Sequence, residues 1–379
     1  LIITDYFNYK NKKIGLKHIF IGFIIYNIIF WIQEYIYFIH KMTLRSEKEA
    51  LSNAYDWFDF TTHQSNFDQK NGDLSEGIYD GNYHLTAEQA MLKKYKLYYN
   101  YLNLSAGKTL VDLGSGYCHW IKFCKEKGVI VKGITLSSPQ KKHCNHHNIN
   151  VILDDFRHYV QTTKDVVDAV SAFGTQEHLA SMGMTAQEES NIHNEMLRNI
   201  KRILNPNGRA LITIMLMNPD YPKWNIYSYS EKGKKNEISF IDKIHIYNLT
   251  SFYGCGRYPL VADYTSYVKN CFNIIKIQNY TEDYRWAGIN FGDHHWQNGK
   301  IYLNTPYRCM KLLQYFLTDM WFLGRINYSL MNSWYWQFGG TQKTPIYKNN
   351  KSPILANIYV LEPKKDCAGK SNPESLYIF

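Results

Sequence analysis

The central part of the chain alternates short apolar runs with segments of helical periodicity. The apolar runs end in turn residues, and the segments between them repeat apolar positions at three- and four-residue intervals. We predict a strand that ends near Asp112, helix 117–127, strand 129–136, helix 138–148, strand 150–153, strand 167–173, helix 188–204 and strand 209–217. This alternation is typical of βαβ units. It predicts an α/β fold in which helices cover both faces of a mostly parallel sheet.

The pattern continues on both sides of this region. A helix over 90–104, opened by Thr86 as its N-cap, is expected to cover the sheet. Further elements are predicted at 260–272 (helix), 273–279 (strand), 306–324 (helix) and 354–361 (strand). The remaining tail is rich in Lys, Ser, Pro and Gly, and its composition predicts disorder.

Residues 19–39 are apolar and long enough to span a bilayer. Asn27, Gln33 and Glu34 interrupt this stretch, and its uncharged part at 19–32 also suits a helix that lies in the membrane interface. A helix packed on the protein and a targeting remnant are the other interpretations. Lysines flank both ends, so charge does not set an orientation. Because the sequence begins with Leu1, the true N-terminus is expected to lie elsewhere.

The charge and the cysteines narrow the possible partners. A net charge of +10 suits an anionic surface, and lipid is favoured because no nucleic-acid module is recognisable. Seven scattered cysteines, odd in number and without a C-x-x-C pair, predict reduced thiols in a cytoplasmic or mitochondrial compartment. His143, His146 and His147 lie in a basic stretch without acidic or thiol partners, so no metal site is predicted.

The strand that ends near Asp112 breaks into Gly114 and Gly116 before a helix begins. Glycine lets the backbone approach a ligand closely, and the start of a helix points unpaired N–H groups at it. This is the pattern of a nucleotide-binding turn. It does not match the dinucleotide fingerprint, because a third glycine at the expected offset and an acidic residue at 137 are both missing.

The segment Thr109–Cys118 resembles the first motif of class I S-adenosylmethionine (SAM) methyltransferases. The run Gly-Ile-Thr-Leu-Ser-Ser-Pro-Gln at 133–140 resembles the cyclopropane-fatty-acid and mycolic-acid cyclopropane synthase family. The resemblance implies a Rossmann-like sheet, SAM as the cofactor, and Asp112 beside its methionine part. The two glycines would make room for the cofactor.

The same resemblance implies further cofactor contacts. Thr135, Leu136, Ser137 and Gln140 would contact the ribose and amino-acid parts of SAM. Asp155 would accept a hydrogen bond from the adenine amine and Phe156 would pack on its ring, although a plain surface turn is the alternative for this segment. Ser75 lies in a segment, 74–79, that corresponds to one closing over SAM.

The catalytic candidates also come from the resemblance. Glu177, in the segment Phe173–His178, and Tyr284 are counterparts of residues that hold a bicarbonate base. The other three positions of that set are occupied here by Glu76, Thr213 and Leu317, so bicarbonate is doubtful. Either Glu76 acts as the base, with a pKa raised by burial beside Glu177, or the reaction is a plain methylation, for example of an amine.

Taken together, the pattern and the resemblance divide the chain into an anchor helix and linker (1–50), an N-terminal helical cap (51–104), a SAM-binding core (105–217), a substrate cap with late elements (218–353), and a final strand with a flexible tail (354–379). The expected function is transfer of a methyl or methylene group from SAM to a lipid or amphiphile, with membrane lipids as partners. The alternative is a catalytically silent copy of the fold that serves as a membrane-bound subunit of a larger complex, for example in mitochondria.

Overall fold

The structure is a computed structural model. It describes residues 8–9, 12–13, 16–41, 44–45, 50, 53–57, 60, 77–181, 184–220, 239–253, 258–287, 305–330 and 352–368. The end of the predicted flexible tail and most of the segment 218–238 therefore lie outside the described residues.

A seven-stranded sheet forms the centre of the molecule. Its strands are β1 (Thr109–Leu113), β2 (Ile130–Thr135), β3 (Val151–Leu153), β4 (Val167–Phe173), β5 (Leu204–Met217), β6 (Phe272–Asn279) and β7 (Ile354–Pro363). They lie in the order β3-β2-β1-β4-β5-β7-β6. Strands β1 to β5 pair in parallel, and β7 is antiparallel to both of its neighbours. The order reverses between β1 and β4, and in such sheets ligands bind beyond the carboxyl ends at that point.

The helices are α1 (Leu16–Lys41), α2 (Ala87–Tyr101), α3 (His119–Glu126), α4 (Ser138–His146), α5 (Phe156–Thr162), α6 (Ala186–Arg202), α7 (Phe240–Tyr253), α8 (Val261–Cys271), α9 (Pro306–Thr318) and α10 (Phe322–Leu330). Thr86 caps α2 as expected: its hydroxyl accepts from the backbone N–H of Gln89, and the Gln89 side chain accepts from the N–H of Thr86. The predicted α/β fold is confirmed, with helix and strand ends displaced by a few residues.

Alternate residues of the strands enter two separate hydrophobic clusters. On β1, Leu110 belongs to one cluster and Val111 to the other, and on β5 Leu211 and Ile212 divide in the same way. Successive side chains of a strand point to opposite faces of a sheet, so the two clusters are the two faces. Burial on both faces explains why these strands are continuous apolar runs in the sequence.

The predicted single helix 306–324 is two helices, α9 and α10. Asp319 ends α9, and its carboxylate accepts from the N–H of Trp321 at 3.0 Å, which starts the next helix. Asp319 also pairs with the guanidinium of Arg325 at 2.8 Å, and both side chains are buried. A buried ion pair of this kind has no signature in helical periodicity, so the break was missed. The short helix α5 was missed as well.

The prediction of reduced thiols is wrong at four positions. Cys118 is joined to Cys144, and Cys271 to Cys367, as disulfides, whereas Cys124 remains a buried thiol. The partners are 26 and 96 residues apart in the sequence. Only the fold brings them together, so spacing could not indicate the pairs.

Candidate functional site

A cavity of about 190 Å³ opens beyond the carboxyl ends of β1, β2 and β4. Residues from the glycine turn and from the ends of β2 and β3 line one part of it, and residues from α2, β4, β5 and the cap line the rest. The predicted site residues that line it are Asp112, Gly114, Gly116, Thr135, Leu136, Ser137, Gln140, Phe156, Glu177 and Tyr284. The fold therefore brings most of the predicted site residues to the wall of one cavity.

The glycine turn needs its glycines for two different reasons. Gly114 has a φ of +90°, and a Cβ there would lie 2.4 Å from the Cγ2 of Thr175, which is closer than atoms can pack. Gly116 has a φ of +52° and would meet nothing within 4 Å. Left-handed backbone favours glycine at both positions. Ser115 ties the turn to β2, because its Oγ accepts from the N–H of Ile134 at 3.0 Å.

Asp112 is buried at the end of β1 and is oriented by a chain of hydrogen bonds. The hydroxyl of Ser171 on β4 donates to Oδ1 of Asp112 at 2.5 Å. The indole N–H of Trp120 on α3 donates in turn to Ser171 Oγ at 3.0 Å. Neither Ser171 nor Trp120 was predicted, because each looks like an ordinary core residue in the sequence.

The segment after β2 forms a polar rim. Thr135 donates its hydroxyl to Oε1 of Gln140 at 2.7 Å, and Ser137 caps α4 by accepting from the N–H of Gln140. The side chains of these three residues are buried, whereas Leu136 is exposed at the mouth of the cavity. The N-terminus of α4 is thus fixed at this rim.

Two neighbouring carboxylates follow β3, and they have different surroundings. Asp155 does not line the cavity; its carboxylate caps α5 by accepting from the N–H of Arg157 at 2.8 Å and pairs with the Arg157 guanidinium at 2.5 Å. Asp154 lines the cavity together with Phe156. A helix cap needs a side-chain oxygen at Asp155, which leaves Asp154 to face the cavity.

Glu177 and His178 follow β4, and burial shifts the pKa of both side chains. Glu177 is 2% exposed, and burial raises its pKa to about 8. Its Oε2 has no hydrogen-bond partner among the described residues. Burial lowers the pKa of His178 to about 4, helped by the charge of Arg157, so this histidine is neutral at pH 7.

Several cavity residues were missed from the sequence, and some candidates are not brought to it. Helix α2, expected only to cover the sheet, contributes Lys94 and Tyr98 to the wall. Thr213 lines the cavity, and its Oγ1 accepts from the N–H of Gly174 at 3.1 Å.

Leu317 on α9 is not part of the lining. Ser75 and Glu76 lie outside the described residues. In the part of the chain that the structure describes, no cluster of three or more metal-ligand side chains occurs.

The strand order, with β7 antiparallel beside β5, and the glycine turn after β1 define the class I methyltransferase fold. The chain belongs to the mycolic acid cyclopropane synthetase family, which residues 45–316 match.

Solved structures agree with this fold. The cyclopropane synthase MmaA2 from Mycobacterium tuberculosis is similar with a TM-score of 0.61 at 16% identity, over 83% of this chain and 98% of that protein. The mycolic acid cyclopropane synthase CmaA1, complexed with SAH and CTAB, gives 0.60 at 17% identity, over 85% and 99%. A probable fatty acid methyltransferase of Mycobacterium tuberculosis is 35% identical over 97 residues. That match spans 24% of this chain and only 23% of the relative's length.

Proposed function

We propose that the protein transfers a methyl group from SAM to a lipid or another amphiphilic acceptor. One observation carries the proposal. A single cavity is lined at the strand ends by the glycine turn and Asp112, and elsewhere by the buried Glu177 and by aromatic side chains. A cofactor and an acceptor could therefore meet in a space from which water is largely excluded.

The described residues fit SAM. The open space at Gly116 leaves room for the cofactor beside the backbone, and Asp112 supplies a preoriented carboxylate for its amino-acid part. Asp154 and Phe156 offer an acceptor for the adenine amine and a ring for the purine. When bound, SAM supplies an electrophilic methyl group on a sulfonium. The chain's task is to hold donor and acceptor in line and to accept the proton that the acceptor loses.

The proposed reaction uses no bicarbonate. Glu177, Tyr284 and Thr213 reach the cavity, but Leu317 lies outside the lining and Glu76 lies outside the described residues. The base in the proposal is therefore a side chain of the protein.

Helix α1 supports a membrane partner. One of its faces packs on the protein: Asn27, Trp31, Glu34 and Phe38 are buried, and Trp31 contacts Phe316 of α9 at 4.7 Å between ring centroids. Its other faces expose apolar side chains, among them Phe20, Phe23, Ile25, Ile29, Ile32 and Ile36. Among the described residues, the segment Phe20–Lys41 is long and apolar enough to cross a bilayer by length and composition.

A helix that packs one face on the protein and exposes apolar side chains elsewhere suits the surface layer of a membrane. We infer that α1 lies against lipid and holds the cap helices there, which gives an acceptor from the membrane a short path to the cavity. A membrane-associated location belongs to this proposal. The alternative of a silent structural subunit is favoured by no feature of the site.

Calorimetric titration with SAM and with SAH tests whether the protein binds the cofactor. Transfer of label from radioactive SAM to a lipid extract tests whether a lipid is the methyl acceptor. We expect binding of both cofactors and a labelled product in the organic phase. A Gly116→Val variant, which places a branched side chain in the open space, is the matched inactive control. If millimolar SAM produces no heat, the proposal of an enzyme is wrong and the alternative of a catalytically silent subunit takes its place.

Vesicle sedimentation tests the membrane part. The full chain is expected to pellet with vesicles that contain anionic lipid, and an Ile25→Asn/Ile29→Asn variant is expected to remain largely in the supernatant. Both substituted side chains are exposed, so folding should be unaffected. Equal sedimentation of the two proteins would contradict a role for α1 at the membrane.

A further inference from the structure

Cys118 has an unusual backbone conformation for its residue type. Its φ is +69°, in the left-handed region. Among the described residues other than glycine, three more have a positive φ, and they are Asp80, Asn103 and Asn148. Asn and Asp side chains hydrogen-bond locally and tolerate this conformation, whereas a cysteine side chain does not offset its cost in that way. The surrounding structure therefore has to hold Cys118 in place.

The disulfide to Cys144 supplies this constraint. Cys118 is the N-cap of α3 and makes no side-chain capping hydrogen bond. Its sulfur is bonded instead to Cys144 on α4, across a Cα–Cα distance of 5.9 Å that is usual for a disulfide. Both sulfurs contact the carbonyl oxygen of Gly116, at 3.9 Å from Cys118 and 3.7 Å from Cys144. The bond thus joins α3 to α4 directly against the glycine turn.

Both ends of this bond belong to elements of the site. Cys118 lines the cavity together with Gly116. Helix α4, which carries Cys144, begins at the polar rim, where Ser137 and Gln140 also line the cavity. A change at the bond therefore acts on the turn and on the rim together. The other disulfide, Cys271–Cys367, lies outside the lining.

We propose that the Cys118–Cys144 disulfide makes cofactor binding sensitive to redox state: the oxidised protein holds the glycine turn in the shape that binds SAM, and reduction weakens binding. This inference rests on the proposed SAM binding and adds a regulation of that same site. Without the bond, Cys118 keeps the cost of left-handed backbone but loses the constraint, so the turn populates other conformations. Apparent affinity falls with the fraction of protein in the binding conformation.

Other contacts keep the two cysteines near each other after reduction. The ring of His143 on α4 packs edge-on against Tyr117, with centroids 5.3 Å apart, and lies 6.0 Å from the ring of His119. Cys118 and Cys144 are also buried in the same hydrophobic cluster. These contacts do not need the S–S bond. Reduction is therefore expected to be local and reversible.

The redox step balances with a dithiol as the reductant. One thiolate of the dithiol attacks a sulfur of the disulfide, the S–S bond breaks, and a mixed disulfide forms. The second thiol of the reductant then attacks the mixed disulfide and closes its own S–S bond. The protein gains two electrons and two protons as the Cys118 and Cys144 thiols, and the dithiol is oxidised to a cyclic disulfide.

Cys124, on the same helix as Cys118, does not compete for this bond. It is a buried free thiol, and burial raises its pKa well above the usual range. The thiolate is the nucleophile in disulfide exchange, so a thiol that stays protonated does not exchange with the pair. The redox change is thereby confined to Cys118 and Cys144.

The binding test is calorimetric titration with SAH of the full chain, once after oxidation with diamide and once after reduction with excess dithiothreitol. We expect the oxidised protein to bind about tenfold tighter, which is equivalent to about 1.4 kcal/mol. Equal affinities would overturn the inference. So would the absence of a linked Cys118–Cys144 peptide pair, by mass spectrometry, after oxidation. If the oxidised protein fails to bind SAH at all, the proposed function is wrong and the inference falls with it.

Two double variants test whether the bond acts through the backbone of the turn. Cys118→Gly/Cys144→Ala and Cys118→Ala/Cys144→Ala both lack the bond and both keep Cys271–Cys367. Glycine adopts left-handed backbone without strain, so the first variant should recover most of the affinity of the oxidised protein in either redox state. The alanine variant should bind like the reduced protein. Equal affinity of the two variants would refute the inference, because loss of a merely structural bond would affect both alike.

The redox equilibrium gives a readout that is independent of turnover. If the oxidised protein binds SAH tenfold tighter, then SAH stabilises the disulfide by the same factor. Saturating SAH should raise about tenfold the ratio of reduced to oxidised dithiothreitol that half-reduces the bond, a shift of about 30 mV for this two-electron couple. Alkylation followed by mass spectrometry measures both disulfides in one sample. The midpoint of Cys271–Cys367 should stay fixed, and a fixed midpoint for Cys118–Cys144 would contradict the inference.

Discussion

Ser171 donates its hydroxyl to the Asp112 carboxylate at 2.5 Å, from the strand next to the one that carries Asp112. The donor fixes the carboxylate at the point where the cofactor is expected. Ser171→Ala removes it, and we expect SAM affinity to fall about tenfold, since hydrogen bonds to charged groups contribute about 1.5–3 kcal/mol. Calorimetric titration with SAM measures this. Trp120→Phe, which removes only the outer donor, should have a smaller effect; unchanged affinity in Ser171→Ala would contradict the positioning role.

Gly114 tests the geometry of the turn. Gly114→Ala combines left-handed backbone with a contact of 2.4 Å to Thr175 Cγ2, so we expect loss of SAM binding and a lower melting temperature. Adding Thr175→Ser removes that methyl group and should restore part of the stability. Gly107→Ala is the matched control: it has a φ of +84° with open space around it, and should cost only about 1 kcal/mol without affecting SAM. Equal losses in both glycine variants would show that backbone strain alone matters.

Asp154 and Asp155 are neighbours with different expected effects. Asp154→Ala should weaken SAM binding about tenfold, because it removes the acceptor proposed for the adenine amine. Asp155→Ala should lower stability by about 1 kcal/mol through loss of the α5 cap, and leave SAM affinity within about twofold. Thermal unfolding and titration of both variants separate the two roles. The reverse pattern would return the adenine contact to Asp155.

Glu177 makes the stability of the ligand-free protein depend on pH. Its pKa is about 8 in the folded state against an ordinary value of 4.5, so the folded protein holds a proton that the unfolded chain releases. This contribution is complete below pH 4.5 and is lost as the pH rises through 8, by on the order of 5 kcal/mol. Glu177→Gln should therefore flatten the stability profile between these values. Denaturant unfolding across this range measures it, and parallel profiles would show that Glu177 is not buried in the way described.

The buried pair Asp319–Arg325 holds the junction of α9 and α10. Arg325→Met leaves Asp319 buried without its partner, and we expect a loss of about 3 kcal/mol. The double variant Asp319→Asn/Arg325→Met should recover much of this loss, because Asn still accepts from the N–H of Trp321. Unfolding of the single and double variants gives the measurement. A double variant less stable than Arg325→Met would mean that the ion pair itself is not the source of the loss.

The sequence predicted the parts of this protein that depend on local periodicity. Alternating apolar runs predicted the parallel sheet, and the break after Asp112 predicted the turn, because strand, turn and helix propensities act over a few residues. Thr86 was recognised as a cap for the same reason. The resemblance placed ten of its thirteen candidate site residues on the wall of one cavity, while Asp155 lies outside the lining and Ser75 and Glu76 lie outside the described residues.

Which other residues share the site with them follows from the packing of the folded chain. Ser171 reaches Asp112 across 59 positions of sequence, Lys94 and Tyr98 arrive on a helix that looked like a simple cover, and Asp154 rather than Asp155 faces the cavity. The disulfides and the break between α9 and α10 are of the same kind. The contacts of Ser171 and α2 and the disulfides join distant segments, whereas the Asp155 cap and the break at Asp319 depend on side-chain contacts within a few residues. Neither kind of contact leaves a periodic trace in the chain. Local patterns along the chain are thus enough to predict the fold and the place of the site, whereas the side chains that line the site depend on tertiary contacts.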